Sequence, residues 1–93
     1  MTQLLTAAAA GVTGTAVNVE NLLGDMRVTA IGGFSVQPVT VQYSPTADSN
    51  DWIDLFTLAD DATNTIDFPV TRIRAKTVAG MVGTATAILM TQN

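Results

Sequence analysis

The chain contains 93 residues, of which 47% are hydrophobic and 13% are charged, and its formal net charge at pH 7 is −4. It has neither Cys nor His, which excludes disulfide bonds, His-based catalysis and zinc sites built from these side chains. Four basic residues against eight acidic ones leave no broad basic surface, so we expect no nucleic-acid partner. A chain of this length makes one small domain, for which association with further copies is the remaining common source of stability.

The first 14 residues are rich in Thr and Ala and suit either a first strand or an extended N-terminal arm. Their apolar run is short, is broken by Thr6 and follows no basic residue, so we interpret it as part of the mature protein rather than as a signal peptide. No stretch of the sequence reaches the roughly 20 apolar residues of a membrane-spanning helix, and we expect no membrane partner.

Beyond this segment, short β-branched and apolar stretches alternate with turns of Gly, Asn, Asp and Pro. Counting the N-terminal segment, the pattern predicts strands over residues 3–8, 15–19, 26–31, 39–44, 52–58, 65–68, 72–77 and 84–91. Seven or eight short strands at this spacing are typical of an all-β fold, a single antiparallel β-sandwich of jelly-roll or immunoglobulin-like topology over residues 1–93. No helix longer than one turn is expected, because Gly11 and Gly14 interrupt the Ala-rich run.

Apolar residues take alternate positions within several of these strands, as they do in a sheet with one buried face. In segment 39–44 they alternate with Thr40, Gln42 and Ser44, and in segment 72–77 they alternate with three basic residues. We therefore expect the basic residues to lie on the solvent side. The expected core consists of Val28, Ile31, Val39, Val41, Trp52, Leu55, Ile66, Phe68, Ile73, Ala87 and Leu89.

The last predicted strand is apolar on both faces in its C-terminal half, which suggests the core on one side and a neighbouring subunit on the other. The loop before it, 79–83, carries two apolar residues at its tip. Either a partner covers them or the loop folds back on its own sheet. The residues expected to contact another subunit are Met81, Val82, Ile88 and Met90.

Nothing in the sequence predicts a catalytic residue, a metal site or a cofactor. The acidic residues fall in turns, as Asp48 with Asp51 and Asp60 with Asp61, where aspartates commonly accept hydrogen bonds from backbone amides. Loop 48–51 lacks the spacing of an EF-hand calcium loop. Trp52 opens an apolar segment and is interpreted as a core residue in preference to a platform for stacking sugars. We expect a protein that works through its surface and is not an enzyme.

A resemblance rests on segment 39–44, V-T-V-Q-Y-S, followed by a polar loop and then W-I-D-L at 52–55. This resembles a hairpin of many short bacteriophage virion proteins, and a similar hairpin occurs in discoidin-like carbohydrate-binding sandwiches. The phage resemblance extends to R-I-R-A at 72–75, to G-T-A-T-A-I-L at 83–89 and to the Thr- and Ala-rich N-terminus. The chain departs from it at Asn50 and Asp51, where an Asp-Gly pair is usual.

The resemblance implies a virion structural protein assembled in the host cytoplasm, in the first place a capsid decoration (cement) protein. Such a protein would form a homotrimer, bind the major capsid protein through an N-terminal arm and bridge neighbouring capsomers. A neck, tail or fibre component, a bacterial tail-like assembly subunit and a carbohydrate-binding module are the alternatives. The arm residues expected to contact the capsid are Thr2, Gln3, Leu4, Leu5 and Thr6.

Overall fold

Eight β-strands make up the regular structure of the residues that can be described. The structure, a computed structural model, describes residues 2–19, 25–45, 50–66 and 70–92. The strands are β1 (Thr2–Ala8), β2 (Val17–Asn18), β3 (Asp25–Ile31), β4 (Val39–Ser44), β5 (Ile53–Leu58), β6 (Ala62–Ile66), β7 (Arg72–Lys76) and β8 (Ala85–Gln92). None of the described residues is helical, in agreement with the sequence-based expectation.

The strands form two four-stranded antiparallel sheets that pack into a sandwich. The first sheet has the order β1-β8-β3-β6, and the second has the order β2-β7-β4-β5. Strand pairs are therefore nested as 1 with 8, 2 with 7, 3 with 6 and 4 with 5, which is the jelly-roll arrangement. In an immunoglobulin-like sandwich, the first two strands would share one sheet. The predicted sandwich is confirmed, and its topology is the jelly-roll alternative.

The period-2 alternation of the sequence explains how the strands pack. In β7, Ile73 and Ala75 are completely buried, while the basic residues between them are only half-buried on the outer face. In β8, Ala87 and Leu89 face the core, and Ile88 on the other side is half-buried. The largest apolar side chains of the core between the sheets are Leu4, Leu5, Met26, Phe34, Leu58, Ile66, Ile73, Met81 and Leu89.

Strand pairing collects four loops at one end of the sandwich, which we call the distal end. The start of β8 lies beside the ends of β1 and β3, and the start of β4 lies beside the ends of β5 and β7. The distal end consequently consists of loops 9–16, 32–38, 59–61 and 77–84. All four lie within the described residues.

The N-terminal segment is a strand of the sandwich over residues 2–8. β1 pairs antiparallel with β8 at the edge of the first sheet, from Thr2 opposite Leu89 to Ala8 opposite Ala85. Its register shifts twice, and Leu4 and Leu5 are both buried in the core. Of the two alternatives for this segment, the structure shows the strand, because two adjacent leucines gain more from burial under the sheet than from exposure in an arm.

Two residues expected in the core lie elsewhere. Ile31 is exposed, because it is three residues from the buried Val28 and so faces the opposite side of β3. Trp52 is half-buried on the outer face of the second sheet, where it contacts arginine side chains. Leu55 is only partly buried against the core. Phe68 lies outside the described residues.

Candidate functional site

Exposed apolar side chains are concentrated at the distal end. Among the described residues, five large hydrophobic side chains are exposed, and only Ile53 lies away from this end. We call the other four the apolar rim: Val12, Ile31, Val36 and Val82. Val36 is 74% exposed and Val82 is 57% exposed, which makes them the most exposed of the set. Single exposed apolar residues are ordinary, but a group on one end of a small domain is typical of an interaction surface.

Backbone hydrogen bonds fix the loops that carry the rim. Ser35 donates its N–H to the carbonyl oxygen of Val82 at 2.9 Å, and the Val82 N–H donates to the Ser35 carbonyl at 3.0 Å. The Gly33 N–H donates to Oδ1 of Asp60 at 3.1 Å, which ties loop 32–38 to loop 59–61. The two most exposed valines therefore stand on adjacent, mutually bonded loops.

Val36 has a backbone conformation that is unusual for its residue type. Its φ angle is 75°, in a region that a β-branched side chain adopts at a cost. The Gln37 N–H donates to the Ser35 carbonyl at 2.9 Å, so Val36 is the central residue of a three-residue γ-turn. Strained residues that a surrounding structure holds in place are common at binding surfaces. Here the strain places an apolar side chain in solvent at the loop tip.

An open groove of about 350 Å³ lies beside Val36. Loop 32–38 forms one wall and the β5–β6 turn forms the other. The lining residues are Phe34, Ser35, Val36, Gln37, Pro38, Ala59 and Asp60. Val36 belongs to both the groove and the apolar rim, so the groove opens beside the rim at the distal end.

A second feature, a row of polar contacts, crosses the outer face of the second sheet. Arg74 on β7 donates its Nε–H to Oε1 of Gln42 on β4 at 2.9 Å. Nε2 of Gln42 donates in turn to Oδ1 of Asp54 on β5 at 2.8 Å. The register places these three residues side by side across the sheet. Gln42 is only 5% exposed, because the neighbouring side chains lie across it.

Trp52 packs under two arginine side chains on this same face. The guanidinium carbon of Arg74 lies 4.2 Å from the centroid of the Trp52 ring, and that of Arg72 lies 5.1 Å from it. Both distances are in the range of cation–π contacts. Nη2 of Arg72 also donates to Oγ of Ser44 at 3.3 Å. We call these residues the outer-face cluster: Gln42, Ser44, Trp52, Asp54, Arg72 and Arg74.

A β-bulge explains why Trp52 is on the outer face. Gln42 lies opposite Asp54, whereas the preceding Val41 lies opposite Phe56, so Leu55 is an extra residue in β5. Regular alternation would place Asp54 and Phe56 on the same face. The bulge shifts the alternation by one residue and turns Trp52 and Asp54 outward.

The residues predicted to contact another subunit or the capsid are divided between the core and the surface. Met81 is 6% exposed and packs in the core, while the adjacent Val82 projects from the distal end. Loop 79–83 therefore folds back at Met81 and exposes Val82. Ile88 and Met90 are half-buried on the outer face of the first sheet. Of the arm residues, Thr2, Gln3 and Thr6 are exposed, and Leu4 and Leu5 are buried.

Val36, Val12 and the contact between Gln42 and Arg74 were not predicted from the sequence. Val36 follows Gly32, Gly33, Phe34 and Ser35 in a loop, and nothing in that composition signals a positive φ at a valine. Alternation places both Gln42 and Arg74 at polar positions of predicted strands. Their strands are not consecutive, so the sequence did not show that they are neighbours.

The described residues contain no group of three or more acidic side chains placed to hold a metal ion. They also contain no helix with the length and hydropathy needed to cross a membrane. Asp60 accepts a hydrogen bond from the backbone, as expected of an aspartate in a turn. Loop 48–51, considered above for calcium, lies partly outside the described residues.

Comparison with known proteins gives no relative on which to base a function: no family model, no curated protein and no solved structure matches the chain.

Proposed function

We propose that the chain is a structural protein of a bacteriophage virion, a capsid decoration protein that stabilises the head by bridging capsomers. The observation that carries the proposal is the apolar rim at the distal end, with Val36 held exposed in a strained γ-turn. Surface of this kind is expected to be covered in the working assembly. Jelly rolls also occur among viral capsid domains, which supports the proposal by analogy of fold only.

In this proposal the distal end seats on the major capsid protein. Val36 and Val82 bury their side chains against the shell, and the groove beside Val36 accepts a projecting side chain of the capsid protein. One such contact is small. Many copies on a symmetrical shell bind with an affinity that multivalency raises well above that of a single contact. The role is mechanical, and we propose no catalytic step.

A homotrimer is part of the proposal. A domain of 93 residues without disulfides gains stability when it associates. Ile88 and Met90 suit a subunit contact, because both are half-buried on the outer face of β8. On this face Ile88 lies opposite Thr29 and Met90 lies opposite Arg27. Thr2, Gln3 and Thr6 of β1 are exposed nearby and remain available to a neighbour.

A carbohydrate-binding role has less support. Sugars stack on the open face of an aromatic ring, and in this chain a guanidinium lies 4.2 Å from the centre of the Trp52 ring. A neck or tail component would use the same docking chemistry as a decoration protein, so the particle to which the protein binds distinguishes these two.

The proposal is tested by two measurements on the purified protein. Light scattering gives its mass in solution, which we expect to be that of a trimer. Co-sedimentation with undecorated capsids, and separately with purified tails, gives the binding partner. We expect saturable binding to capsids alone. A monomer that sediments with neither particle contradicts the proposal, and binding to tails only replaces the decoration role with a tail role.

A further inference from the structure

The outer face of β7 carries most of the positive charge of an acidic protein. Arg72, Arg74 and Lys76 are three of the four basic residues in the chain, and they occupy alternate positions of one strand. The fourth, Arg27, is an exposed residue on β3 in the other sheet. The β7 row is therefore the one group of basic side chains among the described residues, and it is the part of the described surface best suited to an anion, with the Asp54 carboxylate as its acidic neighbour.

Three neighbouring side chains, Asp54, Gln42 and Trp52, fix the position of the Arg74 guanidinium. The Asp54 carboxylate can only accept, so it fixes the Gln42 amide with its nitrogen toward Asp54 and its oxygen toward Arg74. Gln42 Oε1 then takes the Nε–H of Arg74, and the Trp52 ring supports the guanidinium at 4.2 Å. A guanidinium fixed in this way loses little entropy when it binds.

The Nη end of Arg74 remains available. Neither of its Nη groups forms a hydrogen bond with a described residue, and the same is true of the Lys76 ammonium. Stacking on an aromatic ring leaves the in-plane N–H groups of a guanidinium accessible. Two parallel N–H groups match the two oxygens of a carboxylate, and such bidentate pairs are among the strongest hydrogen bonds in proteins.

We propose that this row binds an acidic segment of a protein partner in extended conformation, with Arg74 as the main carboxylate contact. Alternate residues of a strand are about 7 Å apart, both in β7 and in an extended peptide. A peptide with acidic residues at alternate positions therefore matches Arg72, Arg74 and Lys76 in spacing and in charge. The row runs along a sheet face from Arg72 to Lys76, and only Lys76 adjoins the distal loops. It shares no residue with the apolar rim, so its test is independent of the capsid-docking proposal.

The probe is a heptapeptide that alternates Thr and Glu, begins and ends with Thr and so carries three carboxylates. Its termini are acetylated and amidated, and it is titrated into the full chain at low ionic strength. Trp52 is the only Trp in the chain and lies under Arg74, so its fluorescence reports directly on the site. Backbone amide chemical shifts give a second readout. We expect saturable changes centred on β7 and β4. The affinity is expected to fall when the ionic strength rises from about 0.01 M to about 0.15 M, because exposed charges are screened.

Variants locate the contact. Arg74→Gln is expected to weaken binding by about tenfold or more, since it removes a charge-assisted pair. Arg27→Gln makes the same change of charge on the other sheet and is expected to leave the affinity within about twofold. Arg74→Lys retains the charge without the planar fork and is expected to weaken binding almost as much as Arg74→Gln. If circular dichroism shows that Arg74→Gln does not fold, the peptide affinities of Arg74→Lys and Lys76→Gln are compared with that of Arg27→Gln instead.

Three results would overturn the proposal. The first is equal binding of a control heptapeptide with Gln in place of Glu. The second is an equal loss of affinity in the Arg27 and Arg74 variants, which would indicate a general charge effect. The third is markedly tighter binding of trigalacturonic acid, which also carries three carboxylates and would identify an acidic sugar as the ligand.

Discussion

The guanidinium carbon of Arg74 lies 4.2 Å from the centroid of the Trp52 ring, on the outer face of the sheet formed by β2, β7, β4 and β5. This contact connects two parts of the chain that are 22 residues apart in sequence. It gives the single tryptophan a surface role, and its energetic consequences differ from those of a buried aromatic residue.

Trp52→Ala is therefore expected to cost about 1–2 kcal/mol of unfolding free energy, the sum of a cation–π contact and partial burial. Leu58→Ala is the control, at the end of the strand that directly follows Trp52. Leu58 is fully packed in the core, so its truncation is expected to cost about 2–5 kcal/mol. Urea unfolding of both variants measures the difference. A larger loss for Trp52→Ala than for Leu58→Ala contradicts the surface position of Trp52.

The hydrogen bond between Gln42 and Arg74 is expected to couple the two residues energetically. Replacing one of the two residues leaves the polar group of the other without its hydrogen bond on a largely covered surface. Replacing both leaves neither polar group unpaired, so the double variant loses less than the sum of the single variants. A double-mutant cycle of Gln42→Leu and Arg74→Met is expected to give a coupling energy of about 1 kcal/mol. The same cycle with Gln42→Leu and Arg27→Met should be additive, because these residues are on different sheets. Equal coupling energies in both cycles would contradict a direct hydrogen bond between Gln42 and Arg74.

Gly14→Ala is expected to be strongly destabilising for a steric reason. A Cβ atom at position 14 would overlap the carbonyl oxygen of Leu4, and that oxygen belongs to the β1 backbone and cannot move aside. Gly11 in the same loop has a positive φ of 76°, but a Cβ there meets no atom within 4 Å. We expect a loss of about 3 kcal/mol or more for Gly14→Ala and about 1 kcal/mol for Gly11→Ala. Thermal unfolding measures the loss of stability in each variant. A larger loss for Gly11→Ala than for Gly14→Ala would contradict the steric explanation.

Val36→Gly is expected to affect the stability of the protein and its binding to capsids in different ways. Glycine adopts a positive φ without the strain that valine has at 75°, so the free energy of unfolding is expected to stay the same or rise by about 1 kcal/mol. The same change removes the most exposed apolar side chain of the rim, and we expect weaker binding to capsids. Unfolding and co-sedimentation are measured on one preparation. A variant that is clearly less stable yet binds normally would show that Val36 serves the fold alone.

Much of the fold could be predicted from local pattern. The bounds expected for β4, 39–44, coincide with Val39–Ser44, and those of β3 and β7 differ by a single residue. Apolar and polar residues alternate regularly in these strands, and Gly, Pro or Thr lies at their ends. The alternation and the turn residues therefore indicate the same strand bounds. The sequence also placed Ile73 and Ala75 on the buried face, as the structure shows.

The errors have a common physical origin in non-local pairing. The bulge at Leu55 depends on how β5 aligns with β4, and no property of residues 52–58 by themselves reveals it. Trp52 was therefore expected in the core with its apolar neighbours. Similarly, alternation assigned residues 40, 42 and 44 to the polar face of β4, and it did not show that all three are buried there. Side chains of β7 bond two of them, since Arg74 donates to Gln42 and Arg72 donates to Ser44.

The apolar rim was only partly predictable. Val82 stood out as an apolar residue at a loop tip, but its neighbour Met81 turned out to be buried. Val36 could not be identified because its γ-turn depends on bonds between loop 32–38 and loop 77–84. The convergence of these loops at one end follows from the jelly-roll topology, which alternation alone does not distinguish from other sandwiches.

The most direct test of the account measures binding to undecorated capsids by co-sedimentation for two matched variants. Val36→Ser combined with Val82→Ser removes the two most exposed valines of the apolar rim, while Ile53→Ser removes an apolar side chain that is 45% exposed away from the distal end. We expect the double variant to bind at least about tenfold more weakly than the wild type, given about 1 kcal/mol for each buried valine, and Ile53→Ser to bind normally. Normal binding by the double variant, or equal losses in both proteins, would contradict docking through the distal end.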